Sequence, residues 1–364
     1  MMVPFLRPYG APMTAQTSST CPEARGWHGR VAVSLAACTL AALPAAADPV
    51  ADFYRNKTVS IVVGHQVGTG FDTYARVLAR HMGRHIPGGP NMIVQGMVGA
   101  SGITAANWLY NVAPKDGTAM GAWVQTVPLD PLMGGTASKF DAIRFNWIGN
   151  LESSVATCVV TQRTGIKSFE DLRTRETLFG STGGGGALTQ FTLAARNVLG
   201  AKVRLVSGYK GAADIGIAMQ RGEIEGMCGA NTSFLTSFWG PQMDSGEFKA
   251  MVQLNGPKRA DLAGIAHASD LARTQEDKQV LDLVYGPLIL GRIYAAPPDL
   301  PADRVKALRD AFNATARDAE FLADAEKTKL EISPMTGEEV AEHFRRYYAT
   351  PKPLVERAIK AVRE

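Results

Sequence analysis

The sequence is poor in the residues that carry metal and redox chemistry. Among 364 residues there are 4 cysteines and 6 histidines, and neither a Cys-x-x-Cys pair nor a zinc-type histidine spacing occurs. His81 and His85 lie four apart on a helical stretch, but no acid close in sequence completes a site. No metal and no cofactor are therefore expected. An excess of one charge is missing too: 38 Lys and Arg face 34 Asp and Glu, scattered along the chain, which argues against a nucleic-acid partner. Catalytic signatures are also lacking. There is no Gly-x-Ser-x-Gly elbow and no Gly-Lys-Ser/Thr phosphate loop, and the glycines do not space as a dinucleotide fingerprint. Ser181 has no evident base nearby in sequence. Beyond the first fifty residues no apolar run approaches the roughly 20 residues needed to span a bilayer.

The amino-terminal segment has the three parts of an export signal. A basic stretch, Arg25 to Arg30, precedes a mostly apolar run from Val31 to Leu43 and an Ala-x-Ala end at Ala45-Ala46-Ala47. This pattern predicts a secretory leader over residues 1–47, cleaved after Ala47. Leu35-Ala36-Ala37-Cys38 also has the form of a lipobox, which would instead leave a lipid anchor on Cys38. The 317 residues that follow suffice for two ordinary domains. Their two cysteines, Cys158 and Cys228, sit in short apolar segments and are read as buried free thiols, although an oxidising compartment also permits a disulfide.

After the leader, short apolar runs alternate with amphipathic helical stretches. Residues 58–63, 92–95, 118–123, 155–160, 177–180, 203–206, 224–228, 249–254 and 288–295 read as strands. Residues 71–82, 103–110, 187–199, 211–221, 301–317 and 353–362 read as helices, and Thr336 to Glu339 forms a capping box ahead of another. The alternation predicts an α/β architecture with mainly parallel sheets. No Ser/Gly tether divides the chain, so two lobes joined by strand-like crossings fit.

Three glycine-rich loops each lie between a predicted strand and a predicted helix: Gly64 to Asp72, Gly99 to Gly102, and Gly180 to Gly186. A fourth, weaker one is Ser207 to Gly211, in which Lys210 is either an anion partner or a solvent-facing turn residue. A strand delivers the chain to a helix N-terminus, where unpaired N–H groups and the positive end of the helix dipole meet. Glycine lets the backbone approach an anion, and Ser or Thr hydroxyls add donors. Several such loops converging on one cleft make a carboxylate site. Asp72, at the loop–helix junction, either caps a local N–H or shapes the loop around a ligand.

In order and spacing these loops resemble the TctC-like, or Bug, extracytoplasmic solute receptors of tripartite tricarboxylate transporters. The resemblance runs from about Tyr54 to the C-terminus. It is carried by Tyr54 to Thr58, the loop closed at Asp72, Gly99-Ala100-Ser101-Gly102, the turn Ala113-Pro114-Lys115-Asp116-Gly117-Thr118, the Gly180–Gly186 loop and Tyr209-Lys210-Gly211. It implies a type 2 periplasmic binding fold, two α/β lobes with a ligand cleft at the hinge. The implied division is 48–154 for the first part of lobe 1, 155–262 for lobe 2, and 263–364 for completion of lobe 1 and the C-terminal helices. It further implies a periplasmic, monomeric binding protein that is not an enzyme, takes a small di-, tri- or aromatic carboxylate, and serves the membrane components of a transporter. A sensor feeding a signalling receptor, or an exported enzyme acting on a carboxylate, are the alternatives. The ligand contacts it implies are Val67, Gly68, Thr69 and Asp72; Ala100 and Ser101; and Ser181, Thr182 and Gly186. The chain departs from the family in its first loop, which lacks both usual prolines and carries His65 and Gln66. The run Asn146 to Asn150 is also unusual, and Trp147 and Asn150 are candidates for the cleft, the core or the hinge.

Overall fold

The computed structural model describes residues 48–183 and 186–363. The expected leader over 1–47, the lipobox at Cys38, and Gly184 and Gly185 of the third glycine loop lie outside the described residues. Twelve strands occur among the described residues. In chain order they are β1 (Thr58–Val63), β2 (Asn91–Gly96), β3 (Ala119–Trp123), β4 (Asn146–Asn150), β5 (Ala156–Thr161), β6 (Thr177–Ser181), β7 (Val203–Ser207), β8 (Gly226–Asn231), β9 (Phe248–Gln253), β10 (Ala266–His267), β11 (Ile293–Ala296) and β12 (Met335–Thr336). They form two six-stranded sheets, ordered β12-β4-β11-β3-β1-β2 and β10-β9-β5-β8-β6-β7, with helices packed against both. The two lobes are thus built as expected.

The sheets are mixed rather than mainly parallel. β1 runs parallel to β2 and β3, β6 to β7 and β8, and β9 to β10, whereas β11 runs against β3 and β4, β4 against β12, and β5 against β8 and β9. The cause is the crossing between lobes. β4 and β5 carry the chain into lobe 2 and β11 brings it back, so β11 runs against its neighbours in the first sheet and β5 against its neighbours in the second. The apolar residues before β11 form a short 3-10 turn, Gly286–Ile289, not the start of a strand. Pro287 explains the break, since it has no N–H to give a ladder.

The boundary expected at residue 262 is also displaced. β10 pairs with β9 in the second sheet, and the helix Gln275–Tyr285 packs on the helix Ala187–Asn197, where Tyr285 Oη donates to Phe191 O at 2.9 Å. Lobe 2 therefore continues to the crossing near Leu290, where Ser153 and Leu290 bridge. The last helix, Lys352–Ala361, lies against Gln275–Tyr285 and Ala187–Asn197 rather than completing lobe 1. Its buried face of Val355, Ala358 and Ala361 extends the apolar core shared by both lobes.

Cys158 and Cys228 are joined as a disulfide, which corrects the free-thiol expectation. The antiparallel pairing of β5 and β8 sets the two residues directly opposite, with Cα atoms 3.9 Å apart. Trp147 and Asn150 belong to the core and the hinge. The Trp147 ring is buried and stacks on Phe344 at 4.4 Å. Asn150 is buried at the crossing, donating to Glu152 O and accepting from Arg292 N–H. The histidine pair does meet acids, which arrive from the distant helix Ala319–Lys327 and its cap. His81 lies 2.9 Å from Asp324 and His85 2.9 Å from Asp318. His81, Asp318 and Glu320 are close enough together to suit a metal ion, yet Arg84 already pairs with both acids and Arg80 with Asp324. The cluster is an ion-pair network tying two helices together. No helix among the described residues is long and apolar enough to cross a membrane.

Candidate functional site

The carboxyl ends of β1, β2 and β3 deliver three loops to one place, as open α/β sheets do at ligand sites. Their approach is close. A Cβ on Gly64 would lie 2.6 Å from the Gly102 Cα, and one on Gly102 would lie 2.9 Å from the Trp123 Cβ. Only glycine at both positions lets the loops touch, and Gly102, at φ 104°, also needs the left-handed region. Across the cleft, lobe 2 contributes the N-terminus of the helix Ala187–Asn197. Between them lies a cavity of about 360 Å³, within the range of small-ligand sites.

Of the residues expected from sequence, the cavity brings together Ala100 and Ser101 of lobe 1 with Gly186 of lobe 2. Ala100 and Ser101 hold φ of 45° and 55°, a conformation that costs a residue with a side chain about 1–2 kcal/mol and collects at ligand clamps. They lead through Gly102 into the helix Ile103–Asn111. Gly186 caps the helix Ala187–Asn197. Neither cap supplies a side-chain acceptor, and neither helix has an acid in its first turn. The two helix starts meet at one cavity; on the lobe-1 side the N–H groups of Gly102, Ile103 and Thr104 donate to Gly99 O and Ala100 O, so Ala100 and Ser101 are what that side brings to the wall.

The remaining expected residues lie off the cavity wall. The first loop closes on itself. Gly68 N–H donates to Asp72 Oδ2 at 2.9 Å, the Arg76 guanidinium meets the same oxygen at 2.9 Å, and Thr69 Oγ1 donates to Gln66 O at 2.8 Å. The hydrogen bond from Arg76, then that from Gly68, hold the Asp72 carboxyl below its usual range against the opposing effect of burial. Asp72 is thus a buried loop-holder, and Val67 points away at 71% exposure. Ser181 is buried behind its loop, its Oγ 2.9 Å from Ser207 Oγ. The Thr182 side chain packs where a side chain on Gly186 would go. Lys210 is exposed and does not reach the cavity.

Several lining residues have no signal in the glycine pattern. His65 comes from the first loop, whose other residues turn away. Its Nδ1 donates to Gly64 O at 3.0 Å and its ring sits edge-on to Phe71 at 4.2 Å. Burial first, and the charge of Arg292 second, lower its pKa, so the ring is neutral at pH 7 and keeps only an acceptor free on Nε2. The loop after β3 adds Val124, Thr126, Val127, Leu129 and Asp130, and it was findable as the third strand end of the same sheet edge. Leu283 and Val284 come from a helix that periodicity did not expose, and Val362 from the chain end. Behind the first loop, Arg292 stacks on Phe71 and Tyr74 and pairs with the buried Glu152 at 3.2 Å; Ser233 of lobe 2 donates to the same carboxylate. This places an ion pair at the crossing between lobes.

No family model matches the chain. A curated protein of Cupriavidus necator, the UPF0065 protein in the gbd 5' region, is 30% identical over 142 residues, which span 39% of this chain and 41% of that protein. The chain thus spans under half the length of this relative. Among solved structures, a TctC solute binding protein from Polaromonas superposes with a TM-score of 0.66 at 18% identity, covering 84% of this chain and 99% of the other. The periplasmic binding protein BugD gives 0.60 at 18% identity, over 85% and 99%. MatC from Rhodopseudomonas palustris, solved with bound malate, gives 0.58 at 16% identity, over 84% and 99%. Over most of its length the chain has the type 2 periplasmic binding protein fold of these structures.

Proposed function

We propose that this chain is an extracytoplasmic solute-binding protein that captures a small carboxylate between its lobes and passes it to the membrane components of a tripartite tricarboxylate-type transporter. The observation that carries the reading is the pair of helix N-termini, one from each lobe, facing a single cavity with neither a side-chain cap nor an acid in the first turn. An anion there touches the Ala100–Ser101 backbone of one lobe and the helix start at Gly186 of the other, so it binds the closed arrangement better than an open one. Ala100, Ser101 and Gly186 hold the carboxylate, while Gly68, Thr69, Asp72, Ser181 and Thr182 keep their loops in shape. The malate in MatC, a protein of the same fold, supports the ligand class. The site acts as a receptor: among the described residues the one histidine on the cavity wall is spent on a backbone carbonyl, and no nucleophile–base pair accompanies it.

The test is thermal melting of residues 48–364 against mono-, di-, tri- and aromatic carboxylates. A true ligand at about 100 times its Kd adds about 2.7 kcal/mol of apparent stability and raises the melting temperature accordingly. If only neutral or cationic solutes produce a shift, the carboxylate reading fails.

A further inference from the structure

The receptor reading leaves open how many carboxylates the solute carries, and the cavity wall bears on that number. Among the described residues no lysine or arginine lines the cavity. His65, the one basic side chain there, is kept neutral at pH 7 by burial and by Arg292. The positive field is that of the helix ends, chiefly of Ala187–Asn197, each equivalent to at most roughly half an elementary charge, which falls short of two carboxylates. Elsewhere the wall has an aliphatic side, with Ile103, Val127, Leu129, Met133, Leu283 and Val284 contributed by both lobes, beside the polar Thr126 and Gln190.

One ionisable group with the wrong sign for a polyacid completes the wall. Asp130, on the loop after β3, lies against Gly135, accepts a hydrogen bond from Ser138 Oγ at 2.6 Å on Oδ2, and is in no ion pair among the described residues. A second carboxylate entering here would lose its hydration, gain no counter-charge and face a like charge. Specificity built from such a repulsive element discriminates by raising the cost of the wrong ligand.

Resting on the receptor reading, we infer that this cavity selects acids with a single carboxylate on an apolar body, and that Asp130 is the residue that excludes a second carboxylate. The apolar body lies along the aliphatic wall; the carboxylate lies at the Ala100, Ser101 and Gly186 end.

Calorimetric titration of residues 48–364 with acids sharing one carbon skeleton tests this: hexanoate against hexanedioate, and benzoate against benzene-1,4-dicarboxylate. The expected result is that the monoacid of each pair binds about tenfold tighter or more than its diacid, and that Asp130→Asn lowers that ratio by about fivefold. Equal or tighter binding of the diacids by the unmodified protein overturns the inference and leaves the carboxylate reading standing. An unchanged ratio in a folded Asp130→Asn variant overturns the role of Asp130. Binding of none of the four acids overturns the inference, and the carboxylate reading falls with it only if the wider melting screen also finds no acid.

Discussion

The loops Gly64 to Asp72 and Gly99 to Gly102 leave adjacent parallel strands and each enters a helix, yet they treat the helix N-terminus in opposite ways. The first has an acid in the opening turn, and Asp72 turns back to accept the N–H of Gly68. That loop satisfies itself, with Arg76 balancing the charge. The second has no acid in the opening turn and no capping side chain, and two of its non-glycine residues sit in the left-handed region. Its helix-start N–H groups donate to Gly99 O and Ala100 O, and Ala100 and Ser101 line the cavity. Glycine content does not tell these loops apart; the presence of an acid at the start of the helix does. The helix Ala187–Asn197 of lobe 2 follows the second pattern, with no acid and no capping side chain at its start.

This contrast can be broken by substitution. The largest effect is expected at Gly64, where the two loops touch. Gly64→Ala places a Cβ 2.6 Å from the Gly102 backbone, and overpacking of this kind costs about 2 kcal/mol. Both chemical denaturation and ligand titration should register it, because the second loop is displaced. A variant as stable as the parent would mean that the loops are not held in contact.

Next is Ser101→Gly. Glycine relieves a left-handed serine, so stability is expected to be unchanged or higher by up to about 1 kcal/mol, while loss of the hydroxyl weakens carboxylate binding about tenfold. Parallel measurement of melting temperature and Kd separates the two. If binding is unaffected, the loop is structural like its neighbour.

The smallest effect is expected at Asp72→Asn. Arg76 is 44% exposed in its side chain, so solvent screening reduces the pair, and the loss is about 1 kcal/mol of stability with Kd within about threefold of the parent. The sign with pH follows from the lowered pKa of Asp72. Its contribution is complete above the ordinary carboxyl value near pH 4 and is lost as pH falls through the lower folded value, so the difference between parent and variant should shrink in acid. Urea titrations at pH 7 and pH 3 read it directly. A large loss of affinity at pH 7 would put Asp72 in the site after all.

Most of the secondary structure that builds the cleft was legible in the chain. The strands β1, β2, β3 and β6 and the helices after them follow from apolar periodicity, and the capping box at Thr336 is present as read. The helices Gln275–Tyr285 and Ala319–Lys327 were not seen. The first is rich in charge at its start and has a narrow apolar face; the second is short, and its apolar residues are mostly alanine interleaved with Glu, Asp and Lys. Both are stabilised by what they pack against. The same holds for the acids facing His81 and His85, which are more than 200 residues away in sequence.

By itself, then, the sequence determined the α/β alternation, the positions of the strand-to-helix loops and the glycines that let two of them meet, while the two lobes were implied by the family resemblance. These depend on local periodicity and on backbone freedom, which a chain carries in its own order of residues. Only the tertiary structure decided which loop faces the cavity, that Cys158 and Cys228 are joined, that the last helix lies on lobe 2, and that Asp130 and the aliphatic side chains of Gln275–Tyr285 share a wall with Ser101. Each of those follows from strand order and register, where a crossing between lobes fixes which distant residues become neighbours.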